Sequence, residues 1–144
     1  MKSPEMQALD VLVGEWRTTL SDASFDLPPE DAEMTTTVSW VGEAFVLVRW
    51  DSPGGGNTFA LGRSSANDRY WALYHDDRGV DRLFAMTFAE GEWTMHREDP
   101  DFHQRFTSTV AADRIEGRWE ASEDEGATWR KDFDITFERV PPAV

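Results

Sequence analysis

From Leu12 to Arg139 apolar and polar residues alternate in ten short runs, each ended by a turn signal. A side-chain period of two is the mark of a half-buried strand. The pattern predicts strands over Leu12–Ser21, Glu33–Val41, Ala44–Asp51, Thr58–Ala66, Arg69–His75, Asp81–Ala89, Glu92–Arg97, Phe102–Ala111, Arg114–Ser122 and Thr128–Arg139. Gly42-Glu43, Asn67-Asp68, Glu90-Gly91 and Ala112-Asp113 read as two-residue hairpin turns, so consecutive strands are expected to pair as a meander. Ahead of them Ser3 can cap a short helix that has Pro4 at its first position and Glu5 near the positive end of its dipole. Met6, Leu9 and Val13 then share one face, and such a helix can close a barrel end. The expected fold is all-β: an antiparallel up-and-down β-barrel of about ten strands with a short N-terminal helix, one domain over residues 1–144.

Because a two-residue turn fixes which residues lie opposite, the facing parity of one strand dictates that of the next. Across Glu90-Gly91, Phe88 faces Trp93 and Met86 faces Met95 on the same side as Phe84 and Arg97. That side continues as Arg82 with Tyr74, then Ala72 and Tyr70, and then Ser65, Arg63, Leu61 and Phe59. Around Gly42-Glu43 it pairs Trp40 with Phe45, Val38 with Leu47 and Thr36 with Arg49. Near the C-terminus Phe106 meets Trp119, Val110 meets Ile115, and the last strand turns Trp129, Lys131, Phe133, Ile135 and Phe137 inward, with Arg130, Asp132 and Asp134 outside. The Gly-x-Trp triplet recurs at Gly14, Gly91 and Gly117, where glycine permits bending and tryptophan fills space beneath it. Two longer connections remain: Asp22–Ala32 reads as a solvated loop rather than a lid, and Pro53–Asn57 as a flexible hairpin tip.

The inward face is thus aromatic, yet it also carries cations, which demand partners when buried. The nearest acids of the same parity are Glu15 and Asp51, leaving a bound anion, ordered water, or carboxylates from a bulge as counter-charge. The candidate ligand-binding set is Arg49, Arg63, Tyr70, Tyr74, Arg82, Phe84, Met86, Trp93, Arg97, Gln104, Phe106 and Trp119. Seven Trp and nine Phe exceed what a small sandwich needs, which favours a barrel with room inside.

Charge and composition narrow the function. Twenty-eight acidic against fourteen basic residues give a net charge of −14, a field that repels nucleic acid and anionic membranes. No cysteine is present, so thiolate chemistry is excluded. The start, Met1 to Glu5, has no apolar signal region, and a cytoplasmic location is expected. His75 and His96 fall on the outer parity and His103 in an irregular stretch, without metal-ligand spacing. Asp76–Val80, Asp99–Asp101 and Glu123–Glu125 read as acidic turns, and no Gly-x-Ser-x-Gly elbow exists.

The segment Leu12-Val13-Gly14-Glu15-Trp16-Arg17 resembles the Gly-x-Trp opening strand of lipocalins and fatty-acid-binding proteins, the calycin group. The stretches Tyr74–Gly79, Asp101–Phe106, Ile115–Trp119 and Trp129–Arg139 look like the lipocalin-like family DUF1579. The resemblance implies a barrel with an internal site for a small, mostly apolar molecule, and a cation–π contact of Trp16 with Arg139. In fatty-acid-binding barrels inward Arg and Tyr hold a carboxylate, an arrangement that Arg82, Arg97 and Tyr74 are similar to. Haem-binding nitrobindin barrels also open on Gly-x-Trp, but Thr18 replaces their further glycine and no histidine follows His103 to ligate iron, so no cofactor is expected.

Three functional readings follow. The first is binding of a small amphiphilic or anionic apolar molecule, its head against Arg82, Arg97 and Tyr74 and its body against Phe84, Met86, Trp93 and Trp119. The second is a cyclase- or isomerase-type enzyme in the same pocket, with Tyr74 or Tyr70 exchanging a proton. The third is a filled barrel acting as a structural or interaction protein, a homodimer through an edge or through Trp50, Trp71 and Leu73.

Overall fold

A computed structural model describes residues 2–142. The ten expected strands are β1 (Gly14–Ser21), β2 (Glu33–Val41), β3 (Phe45–Ser52), β4 (Gly55–Ser64), β5 (Arg69–Asp76), β6 (Asp81–Ala89), β7 (Glu92–Glu98), β8 (His103–Val110), β9 (Arg114–Ser122) and β10 (Arg130–Arg139). Each pairs antiparallel with its sequence neighbour, and β1 pairs with β10 to close the barrel. Closure leaves no sheet edge without a partner. Alternation supplies the core: Trp16, Val38, Phe59, Leu61, Ala72, Phe84, Met86, Trp93, Met95, Phe106, Trp119, Ile135 and Phe137 all point inward and are buried. The tryptophans of the three Gly-x-Trp triplets, Trp16, Trp93 and Trp119, are among them. Gly117 is needed for a further reason, since a Cβ there would lie 2.7 Å from the Phe106 ring.

Two local irregularities reset the facing parity. The turn after β2 holds three residues, Gly42 to Ala44, rather than two: Val41 pairs with Phe45, and the Ala44 N–H donates to the Val41 carbonyl at 3.1 Å. One extra residue slips the register by one and exchanges the two faces of β3. Val46, Val48 and Trp50 therefore point inward, and Arg49 lies outside, bonded to Asp51 at 3.0 Å and to Thr58 at 3.2 Å. Both the inward placement of Arg49 and the outward placement of Trp50 are corrected by this turn; Trp71 and Leu73 do lie on the outer face. In β10 a bulge between Lys131 and Phe133 does the same. Phe133, Ile135 and Phe137 face the interior as expected, whereas Lys131 turns out to Asp22 and Asp134, and Trp129 stacks outside beneath the Arg105 guanidinium at 4.0 Å.

One end of the barrel is closed by the N-terminal segment. Ser3 caps helix α1 (Pro4–Gln7), its hydroxyl accepting the Met6 N–H at 3.2 Å, and a 3₁₀ turn over Ala8–Leu12 follows. The three-residue period of a 3₁₀ turn selects Leu12 rather than Val13 to join Met6 and Leu9 in the core. Tyr70 ties the segment down by donating its hydroxyl to the Glu5 carbonyl at 2.5 Å.

Arg139 fastens this end. Its guanidinium lies 4.2 Å from the Trp16 ring centroid and donates to the carbonyls of Val11, Val13 and Ala112 at 2.5, 2.7 and 2.6 Å. The Trp16 indole N–H in turn donates to the Leu12 carbonyl at 2.9 Å. Gly14, at φ +136°, makes room, because a Cβ there would lie 2.6 Å from Arg139 Nη1. Arg139→Ala removes the cation–π contact and three charge-assisted bonds together, so a stability loss of about 2–4 kcal/mol is expected in urea denaturation. Arg139→Lys is expected to recover little of it, because an ammonium lacks the planar fork that reaches three carbonyls.

Candidate ligand-binding cavity

At the opposite end the barrel opens into a cavity of about 470 Å³. Cross-strand rungs build its walls. On one side Phe59 of β4, Tyr74 of β5 and Arg82 of β6 stand in a row, with Trp50 and Asn57 paired one rung nearer the mouth. On the other side Gln104, Ala121 and Arg130 form a rung across β8, β9 and β10, and Trp119 faces Phe133 below it. The rings pack as a continuous wall: Phe59 lies 6.2 Å from Trp119 in a stacked arrangement, and Phe84 meets Trp119 edge-on at 5.6 Å.

The segment from Asp22 to Ala32 is largely exposed, as its composition suggests, and touches the rim of the mouth. The Ser24 N–H donates to the Asp132 carbonyl at 2.8 Å, Phe25 sits edge-on to Phe133 at 6.0 Å, and a short helix α2 (Pro29–Ala32) leads into β2. Behind this segment a second recess of about 450 Å³ shares Phe25, Trp50, Asn57, Tyr74 and Arg78 with the cavity.

Of the twelve candidate residues, Tyr74, Arg82, Phe84, Gln104 and Trp119 line the cavity. Met86, Trp93 and Phe106 face inward but belong to the packed core beyond it, with Phe106 at 5.1 Å from both Trp93 and Trp119. Tyr70 and Arg63 stand toward the closed end, where Arg63 lies over the Tyr70 ring and pairs with Asp68. Arg49 is outside. Trp50, Asn57, Phe102, Arg130, Asp132 and Phe25 also line the cavity. Sequence parity misplaced Trp50, Arg130 and Asp132 through the two irregularities above, and Phe25 carries no periodic signal because it lies in a loop.

The inward cations separate by partner. Arg97 is buried, 6% exposed, and engaged by Asp99 at 2.7 Å, Asp101 at 2.9 Å and the Phe102 carbonyl at 3.1 Å. Its counter-charge comes from the acidic hairpin tip that its sequence suggested was only a turn, so its place as a head-group ligand is not what the geometry offers. Arg82 differs: among the described residues it forms no ion pair, and its guanidinium stacks over Tyr74 at 5.6 Å and Phe102 at 5.1 Å. Arg78 pairs with Asp76 at 2.6 Å, and Arg130 with Glu123 at 3.5 Å and Asp132 at 3.6 Å. The three histidines lie off the cavity; His75 meets Asp81, and His96 and His103 flank Trp129 on the outer side. Among the described residues no group of three or more His, Asp or Glu is placed to hold a metal ion.

Buried polar atoms concentrate here. Six buried side-chain polar atoms make no hydrogen bond within the described protein, and four of them, Trp50 Nε1, Asn57 Oδ1, Gln104 Oε1 and Trp119 Nε1, belong to residues lining the cavity. Such atoms are costly unless something in the cavity pairs with them.

Tyr74 and Asp76 stiffen the wall at the mouth. The Tyr74 hydroxyl donates to Asp76 Oδ2 at 2.8 Å; burial first, and this bond second, push its pKa up to about 12. The Arg78 guanidinium, then the Tyr74 hydroxyl and the N–H groups of Val80 and Arg78, hold the Asp76 carboxyl well below the usual carboxylate range. A carboxyl depressed in the folded state stabilises the fold above its unfolded value of 3.8 and loses that contribution as pH falls through the folded value. Asp76→Asn is therefore expected to cost about 1–3 kcal/mol at pH 7. The gap between variant and parent should narrow below pH 4 in denaturation series at stepped pH.

No protein-family model matches the chain, and no curated protein matches it. Among solved structures it is similar to Rv2717c from M. tuberculosis at 10% identity, with a TM-score of 0.66 over 98% of this chain and 100% of that one. A de novo designed fluorescence-activating β-barrel aligns at 12% identity over 92% of this chain and 97% of that one, with a TM-score of 0.46. At 10% identity the likeness to Rv2717c is one of fold alone.

Proposed function

We propose that this lipocalin-like barrel binds a small amphiphilic molecule in the open-end cavity, with an anionic head at Arg82 and an apolar, aromatic body between Phe59, Phe84 and Trp119. The observation that carries this reading is Arg82, an inward guanidinium without a carboxylate partner among the described residues, set in an aromatic wall. A cation backed by aromatic rings and partly withdrawn from solvent draws an anion more strongly than one in open water. The cavity volume of about 470 Å³ suits a small ligand and argues against a filled barrel.

Proton transfer finds less support than binding. Tyr70 is bonded to the Glu5 carbonyl at the closed end, and Tyr74 keeps its proton, donated to Asp76, with a pKa of about 12, far from the neutral range where a general acid or base works best.

The test is titration with 1-anilinonaphthalene-8-sulfonate, an aromatic anion. Saturable binding at one site is expected. Removing a charge-assisted bond forfeits about 1.5–3 kcal/mol, so Arg82→Gln should weaken binding about ten- to a hundredfold. Ala121→Phe, which fills the cavity beside Gln104 without touching Arg82, should weaken it as well. Affinity unchanged in both variants would place the dye elsewhere and overturn the reading.

A further inference from the structure

The unpaired polar atoms of the cavity carry the ligand's chemistry further than the charge of Arg82 does. They lie on opposite walls: Trp50 and Asn57 are cross-strand partners on β3 and β4, while Gln104 of β8 and Trp119 of β9 stand across from them. Three belong to side chains at least nine-tenths buried, Trp119 at 3%, Trp50 at 6% and Gln104 at 9% exposed, and none of the four atoms has a hydrogen-bond partner among the described residues. The indole N–H groups are donors only, whereas the amide oxygens are acceptors. A purely hydrocarbon body between Phe59, Phe84 and Trp119 would strand all four atoms in an apolar contact. A carboxylate alone could serve the two donors and, with the amide oxygens turned as they stand, would confront the two acceptors with like partial charge. A hydroxyl both donates and accepts, so it can satisfy an indole N–H and an amide oxygen in either orientation of the amide.

We infer that the cavity is built for a hydroxylated aromatic anion, whose acid group meets Arg82 and whose ring hydroxyl pairs with the unsatisfied atoms of Gln104 and Trp119. The inference rests on the anion reading above and adds to it the polar group at the far wall. A rigid, planar body suits walls made of rings, and a volume of about 470 Å³ accommodates a body of about two rings. Sites built to hydrogen-bond a ligand hydroxyl discriminate strongly against the analogue that lacks it, because the site's own buried groups are then left unpaired. The hydroxyl should accordingly act as a selector and not merely as an addition to affinity.

The experiment compares 2-naphthoate with a set of its hydroxylated isomers by isothermal titration calorimetry on the full chain. At least one isomer is expected to bind ten- to a hundredfold more tightly than 2-naphthoate itself. That gain should fall to within about threefold of unity in Gln104→Leu and in Trp119→Phe, each of which removes one polar partner and keeps a bulky apolar side chain. Binding of plain 2-naphthoate by both variants reports that the cavity is intact, and two independent variants guard against one that fails to fold. If no isomer exceeds 2-naphthoate by more than threefold, or the gain survives in both variants, the four atoms are satisfied by water and the inference is wrong. If 2-naphthoate binding is absent or indifferent to Arg82→Gln, the anion reading itself has failed, a result distinguishable from loss of the hydroxyl selection alone.

Discussion

Closure of the sheet between β1 and β10 is the constraint on which the remaining architecture depends, and a single guanidinium secures one end of it. Arg139 gathers the carbonyls of Val11, Val13 and Ala112 while covering the Trp16 ring, so the N-terminal 3₁₀ turn, the start of β1 and the β8–β9 hairpin are joined at one point. Those carbonyls would otherwise face one another without donors at a place where the chain leaves the sheet. With this end packed by Met6, Leu9 and Leu12, the interior of the barrel opens at the other end. The cavity is therefore a consequence of asymmetric closure: both ends share the same strand alternation, and only one of them receives a plug.

The same asymmetry sorts the inward cations. Arg63 near the closed end reaches Asp68 in the β4–β5 turn. Arg97 is met by two carboxylates carried on the β7–β8 connection. Arg82 is set between Tyr74 and Phe102, with π-faces on its flanks and no acid at its tip among the described residues. The Arg82 and Arg97 guanidiniums both lie over the Phe102 ring, at 5.1 and 4.7 Å. The loop that neutralises Arg97 also supplies this ring to Arg82. Arg97 is thus neutralised, while Arg82 beside it has no ion pair among the described residues.

Strand alternation and hairpin turns made most of the fold legible, and the departures have definite causes. Glu90-Gly91 and Ala112-Asp113 do connect strands by two residues, and the facing pairs across them, Phe88 with Trp93 and Val110 with Ile115, follow. The β4–β5 turn is longer by two residues than its Asn-Asp signal suggested; an even slip preserves parity, which is why Arg63 and Tyr70 remain inside, with Tyr70 opposite Arg63 rather than Ser65. The β2–β3 turn is longer by one, and an odd slip reverses it, which moved Arg49 out and Trp50 in. A bulge has no compositional mark, so the reversal at Lys131 to Phe133 was invisible. For the cavity, the inward rings Phe84 and Trp119 and the residues Tyr74, Arg82 and Gln104 were readable from parity alone. The depth of each along the barrel axis was not, because it depends on which end is plugged. For the same reason Met86, Trp93 and Phe106 shared a face with the cavity residues without reaching the cavity.

The overall charge of −14 stands, at first sight, against the proposed anionic ligand. The two effects act over different distances. Surface carboxylates repel through water and salt, where their field fades over a Debye length of about 8 Å at physiological ionic strength. Many of them are also paired on the outer wall, as Glu120 is with Arg105 and Glu138 with Arg17 and Arg114. Arg82 acts inside a ring-lined cleft, where water and ions screen it far less. The long-range field therefore bears mainly on how often an anion arrives, and the guanidinium on how long it stays. Burial raises the cost of each unpaired indole and amide atom, so the proposed ligand would be penalised for a body with nothing to offer Gln104 and Trp119. In the proposed complex, charge and hydrogen-bond selection would thus act through the same ring-lined wall.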